Sequence, residues 1–268
     1  MNAFANHFGF EFKAGLRNAT AMLMNYLFPL GFYVMMGVVF TQILPTFRDT
    51  MIPAMLIIAA MSSTLLGLPD PLVTSREAGI YRSYKINGVP AVSILAVPVL
   101  TSMIHALIVA AIIALTAPLL FRATPPSSWG MLALIALLTI FTFGAIGALI
   151  GVVSPSSRAT VLWSQLIFLP SMLLGGLMMP VSVLPESVRP FAGLLPSSHA
   201  MQAFAGLAFG QETVFDPVRS VIILATSGIL AFGLAIYLFN WDSRNAARRG
   251  HPLLALLAAV PYVVGLFI

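Results

Sequence analysis

The sequence predicts an all-α integral membrane protein with six transmembrane helices. Of its 268 residues, 59% are hydrophobic and only 8% are charged, and the mean hydropathy is +0.99. Predominantly apolar runs close to the ~20 residues that cross a bilayer recur along the chain, whereas a soluble domain needs far more polar surface. The predicted spans are 21–44, 51–69, 91–119, 129–153, 159–180 and 218–240.

An amphipathic helix is predicted ahead of the first span, over residues 1–20. Phe4, Phe8, Phe12 and Leu16 recur every four residues, and the basic side chains lie on another face. This pattern suits a helix in the headgroup region, with a frayed tail as the alternative. The segment has no basic stretch ahead of an apolar core, so we do not expect a cleavable signal.

The distribution of Lys and Arg predicts a cytoplasmic N-terminus in a multi-pass protein of the cell membrane. With that orientation, nine basic residues face the cytoplasm and four face outward, which follows the positive-inside rule. Basic loops therefore explain the net charge of +5, and no nucleic-acid partner is expected. The inner residues are Lys13, Arg17, Arg76, Arg82, Lys85, Arg158, Arg244, Arg248 and Arg249, and the outer ones are Arg48, Arg122, Arg189 and Arg219.

Two segments fall outside the six spans. Segment 181–217 is semi-apolar and is interrupted by Pro185, Pro190 and Pro196, so we expect short re-entrant helices that are buried at the outer side. Segment 253–268 has sixteen apolar residues, which is short for a span. A tilted crossing and an interfacial tail both remain open for it.

No energy source or catalytic site is recognisable in the chain. Gly is nowhere followed by Lys, which excludes a phosphate-binding loop, and no cysteine is present. The four histidines form no metal-binding motif, and no acidic residue lies within a confidently placed span. An enzyme would have only His105 and His199 for acid–base chemistry, and a lone His105 is more often hydrogen-bonded within a helix bundle. Active transport therefore requires another subunit.

The segment "SREAGIYRSYKINGVP", from Ser75 to Pro90, is unusually charged for this chain. Ile80 and Tyr84 stand four residues apart on one helical face, and charged residues make up most of the remainder. We expect a short amphipathic helix that docks in a groove of a partner protein and transmits its movement to two spans. An ordinary positive-inside loop is the alternative.

Three patterns in this order carry a resemblance to a known family. "REAGIYRSYKINGVP" is similar to an E-x-G…L…P coupling segment, with Glu77, Gly79 and Pro90 in place. "FGAIGALIGVVSPSSRAT" is similar to the Gly- and Ser-rich inner end of a fourth span, where small residues also permit close helix approach. "LPSMLLGGLMMPVSVLPESVRPFAGLLPSSHAMQAF" is similar to a proline-punctuated fifth span. Together they resemble the type-2 permeases of ATP-binding-cassette (ABC) exporters.

The resemblance implies an interface helix at 1–20 and a six-span permease domain at 21–240. Residues 241–268, a basic turn and an apolar tail, depart from the family, whose members commonly end after the sixth span. The permease itself would bind no cofactor, because ATP and Mg would bind to a separate cassette ATPase. The coupling helix, from Arg76 to Ile86, would contact that subunit through Arg76, Glu77, Gly79, Ile80, Tyr81, Tyr84 and Lys85.

The resemblance also implies a substrate path between two permease copies, as a homodimer or with a paralogous permease. The second and fifth spans would line this path, and lipids would surround the pair. Pro180, Pro185 and Pro196 would belong to the outer gate. An amphiphilic cargo is expected (a drug, a lipid or a lipid-linked molecule), as in multidrug efflux, because methionines form adaptable apolar walls. The methionines proposed for that wall are Met172, Met178 and Met179.

Two other function classes remain open from the sequence. A passive channel, scramblase or membrane scaffold would need no ATPase partner and would conduct or scramble when reconstituted alone. A membrane enzyme ranks last, because the two candidate histidines have no second ionisable group at helical spacing.

Overall fold

The computed structural model is helical and has no strand among the described residues, which confirms the all-α class. It describes residues 2–241 and 250–267, with the side chains of residues 2–7, 10 and 91 outside that description. The predicted basic-turn residues Arg244, Arg248 and Arg249 therefore lie outside the described residues, as does the side chain of Phe4.

The helices follow the order expected from the apolar runs. They are α1 (Asn2–Arg17), α2 (Ala19–Ile43), α3 (Phe47–Glu77), α4 (Ile80–Ile86), α5 (Ala91–Phe121), α6 (Trp129–Val153), α7 (Ser157–Leu174), α8 (Arg189–Gly193), α9 (Pro196–Ala203), α10 (Pro217–Leu238) and α11 (Val260–Gly265). Among the described residues, five helices are long and apolar enough to cross a bilayer, namely α2, α3, α5, α6 and α10. The count of six stays a prediction.

The helix at the predicted fifth span, α7, is shorter than expected. It has 18 residues and ends at Leu174, whereas the sequence predicted a span as far as residue 180. The backbone of Gly176 has φ +83°, a left-handed conformation that favours glycine, so the helix cannot continue through this position. Residues 175–180 instead form an irregular link to the outer helices.

Helix α3 lies at the centre of the bundle, and residues 51–65 are all buried. Glycines on α6 allow the two helices to approach closely. A Cβ atom at Gly147 would overlap the carbonyl oxygen of Thr64, and one at Gly151 would lie 2.9 Å from Leu72 Cδ1. The packing role expected for the small residues of the fourth span is thereby confirmed.

Helix α3 is also longer than the predicted span 51–69. It runs for 31 residues, which corresponds to about 46 Å, whereas the hydrocarbon core of a bilayer is about 30 Å thick. Gly67 and Leu68 keep right-handed helical dihedral angles, so the last nine residues, Pro69–Glu77, continue the rod. Helix α3 is therefore longer than the hydrocarbon core is thick.

A helix occurs at the N-terminus, as the sequence predicted, and it packs against α5. The ring of Phe12 stacks on His105 with centroids 4.6 Å apart. The hydroxyl of Tyr26, on α2, lies 2.6 Å from Nδ1 of His105. His105 is thus hydrogen-bonded within the bundle, which was the favoured interpretation of this residue.

The short helices predicted within 181–217 are present as α8 and α9. Arg189 donates from Nε to the carbonyl oxygen of Leu184, at 3.0 Å, and from Nη2 to that of Ser182, at 2.9 Å. The side chain of Gln202 accepts a 2.7 Å hydrogen bond from the backbone nitrogen of Val214. These side chains satisfy backbone groups that prolines and irregular turns leave unpaired.

Candidate coupling site

A sharp bend separates α3 from α4. Gly79 has φ +76°, so the long helix ends at Glu77 and a new one starts at Ile80. The sequence prediction treated the segment from Arg76 to Ile86 as one helix, and the structure divides it at this glycine. The two helices therefore form an elbow at the end of α3.

The inner face of α4 is anchored on the end of α10. Tyr81 is buried, and its ring lies 5.4 Å from that of Phe239 and 6.5 Å from that of Tyr84. Phe239 in turn contacts Trp241, with ring centroids 5.2 Å apart. Burial raises the pKa of Tyr81, so its hydroxyl stays protonated and neutral at physiological pH. This aromatic cluster fixes the position of α4.

The outer face of α4 is a mixed apolar and charged surface. Ile86 is 80% exposed and Ile80 is 43% exposed, while Glu77, Arg82 and Lys85 are also exposed. Ile80 and Tyr84 stand four residues apart in this helix, as the sequence predicted, and Tyr84 is half-buried beside Tyr81. Exposed isoleucines flanked by charges are typical of a protein-binding surface.

Arg76 connects α3 to α6. Its side chain is only 8% exposed and donates from Nη1 to the carbonyl oxygens of Val152, at 2.7 Å, and Gly151, at 3.4 Å, and from Nη2 to that of Ser154. These carbonyls lie at the C-terminus of α6, where a cation is favoured by the helix dipole. The sequence predicted Arg76 to contact the ATPase, whereas the structure buries its side chain against α6. Nothing in a single sequence signals hydrogen bonds to carbonyls 75 to 78 positions away.

The chain matches the ABC-2 type transporter family over residues 7–209. It belongs to this family. It is also 27% identical over 193 residues to YvfS of Bacillus subtilis (strain 168), which is named as a transport permease. That alignment covers 70% of this chain and 78% of the relative. No solved structure matches the chain at a significant level. The family identifies the chain as a multi-pass transport permease rather than an enzyme. Membership of this family implies, in general, a partner that carries an ATP-binding cassette.

The residues predicted for the permease's substrate path surround the far end of α7. Met172 and Met178 are half-buried against the core, and Met179 is 45% exposed. Helix α7 starts four residues after α6 ends and runs for 18 residues, which corresponds to about 27 Å, and the three methionines lie at or beyond its C-terminal end. The structure thus separates the two sets of predicted residues.

The prolines predicted for the outer gate of the permease differ in burial. Pro180 and Pro185 are exposed in irregular turns, whereas Pro196 is buried as the first residue of α9. A proline suits that position because the amide hydrogen it lacks would have no helical partner.

Sequence reasoning missed a cluster of serines where α7 meets α9 in the permease. A Cβ atom at Gly175 would overlap the hydroxyl of Ser197, so the side chain of Ser197 packs directly on the backbone at the end of α7. The hydroxyl oxygens of Ser171, Ser197 and Ser198 are buried and have no hydrogen-bond partner in the described part of the chain. Serines that lie far apart in sequence give no signal of such clustering.

The candidate acid–base residues of the permease occupy separate places. His105 bonds to Tyr26, whereas Nε2 of His199 lies 2.8 Å from the carbonyl oxygen of Gly193. Within the described residues, no group of three or more metal-binding side chains occurs.

Proposed function

We propose that the chain is the permease subunit of an ABC exporter and moves an amphiphilic molecule outward across the cell membrane. ATP hydrolysis in a separate cassette subunit, which binds ATP and Mg, drives the transport. The observation that carries the proposal is the elbow at Gly79, which presents the outer face of α4 at the end of a helix that is longer than the hydrocarbon core is thick. The N-terminus is cytoplasmic, and α4 therefore faces the ATPase.

In this proposal α7 is the remaining span of a six-span permease. Its 18 residues correspond to about 27 Å, which nearly matches the hydrocarbon thickness. Its buried face is partly polar, with Thr160, Ser164 and Ser171, while its other face is apolar and exposed. This polarity suits a helix with protein on one side and an apolar environment on the other.

The exposed face of α7 is where we place the second permease copy. Leu162, Leu166, Leu169 and Leu173 recur at intervals of four, three and four residues and are 55–71% exposed. Spacing of this kind forms one continuous stripe along a helix, which allows two copies to pack side by side. Helix α3 is buried in the subunit and offers no such stripe, so the surface for the second copy comes from α7.

The outer ends of α7 and α9 form the closed exit in this proposal. The unpaired hydroxyls of Ser171, Ser197 and Ser198 become available to the polar group of an amphiphile when α9 separates from α7. Met172, Met178 and Met179 then supply an apolar wall for its hydrocarbon part. The substrate class therefore combines a polar head with an apolar body.

Replacement of Gly79 by tryptophan is expected to reduce co-purification of the cassette ATPase about tenfold while the permease still reaches the membrane. No atom lies within 4 Å of a Cβ at this position, so the effect arises from the backbone. A non-glycine residue at φ +76° costs about 1–2 kcal/mol, and relaxation of that strain tilts α4 away from its anchor. Tagged pull-down from native membranes, followed by an ATP hydrolysis assay, measures the association.

Matched variants distinguish a loss of ATPase docking from a general loss of permease folding. Glu77→Lys reverses an exposed charge beside the elbow and is expected to weaken association, whereas Glu186→Lys makes the same change in the outer region and is not. Gly130→Trp is the control for Gly79→Trp, because Gly130 is also surrounded by open space but lies at the outer end of α6. Undiminished association in both test variants contradicts the docking role of α4. Nucleotide-independent conduction by the permease alone would indicate a passive channel instead.

A further inference from the structure

The apolar tail, residues 252–267, extends further than a purely α-helical segment with the same number of residues. Residues Pro252–Ala259 form a 3-10 helix of eight residues, which is followed by the six residues of α11. A 3-10 helix rises about 2.0 Å per residue and an α-helix about 1.5 Å, so the tail spans about 25 Å instead of the 21 Å of a purely α-helical segment. It thereby approaches the thickness of the hydrocarbon core.

The tail runs antiparallel to α10. At its start, a Cβ atom at Gly250 would lie 3.0 Å from Leu238 Cδ2, at the last residue of α10. At its end, a Cβ atom at Gly265 would lie 2.6 Å from Ile223 Cδ1. Leu238 and Ile223 are 15 positions apart, so the tail follows α10 for about 22 Å.

A buried hydrogen bond attaches the middle of the tail to α10. The hydroxyl of Ser227 donates to the carbonyl oxygen of Ala258, at 2.8 Å, where the 3-10 helix passes into α11. Such junctions leave carbonyl oxygens without a helical partner, and an unpaired carbonyl in an apolar environment is costly. The bond fixes the register between the tail and α10.

The far end of the tail covers the outer helices. Tyr262 is 2% exposed, and its ring lies 5.6 Å from that of His199 on α9. Nδ1 of His199 lies 3.2 Å from the hydroxyl of Ser220 on α10, and Nε2 lies 2.8 Å from the carbonyl oxygen of Gly193 on α8. A Cβ atom at Gly193 would lie 2.6 Å from Leu266 Cδ2. His199 thus joins α8, α9 and α10 beneath the tail.

We propose that the tail is a seventh membrane crossing that clamps α8 and α9 onto α10, so that residue 267 lies on the side opposite to α4. Release of Tyr262 from His199 accompanies opening of the exit. The crossing stands on the contacts alone, whereas the clamping of an exit rests on the proposed function. The tail thus holds the outer helices in the closed arrangement.

The crossing is tested with single cysteines, since the chain has none of its own. Phe267 is 85% exposed and Ile86 is 80% exposed, so both accept a label. In intact cells, a membrane-impermeant maleimide is expected to label Phe267→Cys but to label Ile86→Cys only after permeabilisation. Labelling of both cysteines under the same condition, or of Phe267→Cys only after denaturation, overturns the crossing.

The clamp is tested with the cysteine pair Gly193→Cys and Leu266→Cys in native membranes. Mild oxidation is expected to join the pair in nucleotide-free membranes, and trapping with ATP and vanadate is expected to lower the disulfide yield about tenfold. An unchanged yield in membranes that retain vanadate-sensitive ATP hydrolysis overturns the clamp alone. Absence of that hydrolysis from the purified complex overturns the proposed function and the clamp with it. The unreplaced chain forms no disulfide and gives the background.

Discussion

Replacement of Gly147 by leucine is expected to destabilise the permease strongly. The added side chain would start at a point that already overlaps the carbonyl oxygen of Thr64, and a backbone atom cannot move aside as a flexible side chain can. Overpacking of a core costs about 1–3 kcal/mol even where side chains yield, so the cost here exceeds that range. The melting temperature in detergent is expected to fall by about 10 °C or more, as measured by size-exclusion chromatography after heating.

The matched control is Gly233→Leu. Gly233 lies on α10, is exposed, and has no atom within 4 Å of a Cβ position, so leucine at this site meets open space. We expect a melting temperature within a few degrees of the unmodified protein. A Gly147→Leu protein as stable as the Gly233→Leu protein contradicts the close packing of α3 on α6.

Replacement of Arg76 by methionine is expected to uncouple ATP hydrolysis from transport without releasing the ATPase. The guanidinium bonds to three carbonyls at the end of α6, and each hydrogen bond to a charged group contributes about 1.5–3 kcal/mol. Without the guanidinium of Arg76, a movement of the elbow is no longer transmitted to α6. We expect the number of molecules exported per ATP hydrolysed to fall on the order of tenfold in proteoliposomes.

Two further variants make this result specific. Lysine at position 76 keeps the charge but lacks the planar guanidinium that binds several carbonyls at once. The transport ratio of Arg76→Lys is therefore expected to lie between those of the unmodified protein and Arg76→Met. Arg158→Met removes an exposed cation at the start of α7 and is expected to leave the ratio unchanged. Normal coupling in Arg76→Met, with the ATPase bound as before, would show that α6 does not depend on this connection.

Local properties of the sequence predicted most of the fold. Hydropathy depends on neighbouring residues alone, so the five long helices appear close to their predicted positions. The coupling segment was recognisable by its concentration of charged residues, whereas the break at Gly79 that divides it into two helices was not predicted. The end of α7 was misplaced because the residues around Gly176 are as apolar as those of the helix, so hydropathy does not signal the left-handed backbone at this glycine.

Long-range contacts account for what the sequence did not reveal. The partners of Arg76 lie 75 to 78 positions away, and the hydroxyl of Ser227 meets Ala258 from a distance of 31 positions. The sequence left a tilted crossing and an interfacial tail both open for the tail, because its length was judged at the rise of an α-helix, whereas its first eight residues are 3-10 helical. Composition carries no information on such pairings.

Photo-crosslinking from position 86 tests most directly whether α4 is the docking point of the ATPase. Ile86 is 80% exposed on the outer face of α4, so a photoreactive amino acid placed there leaves the aromatic anchor of Tyr81 intact. Irradiation of native membranes is expected to join the permease to a nucleotide-hydrolysing subunit. Crosslinks to lipid or to extracytoplasmic proteins, with no ATPase among the products, would contradict the claim that the cassette ATPase docks on the outer face of α4.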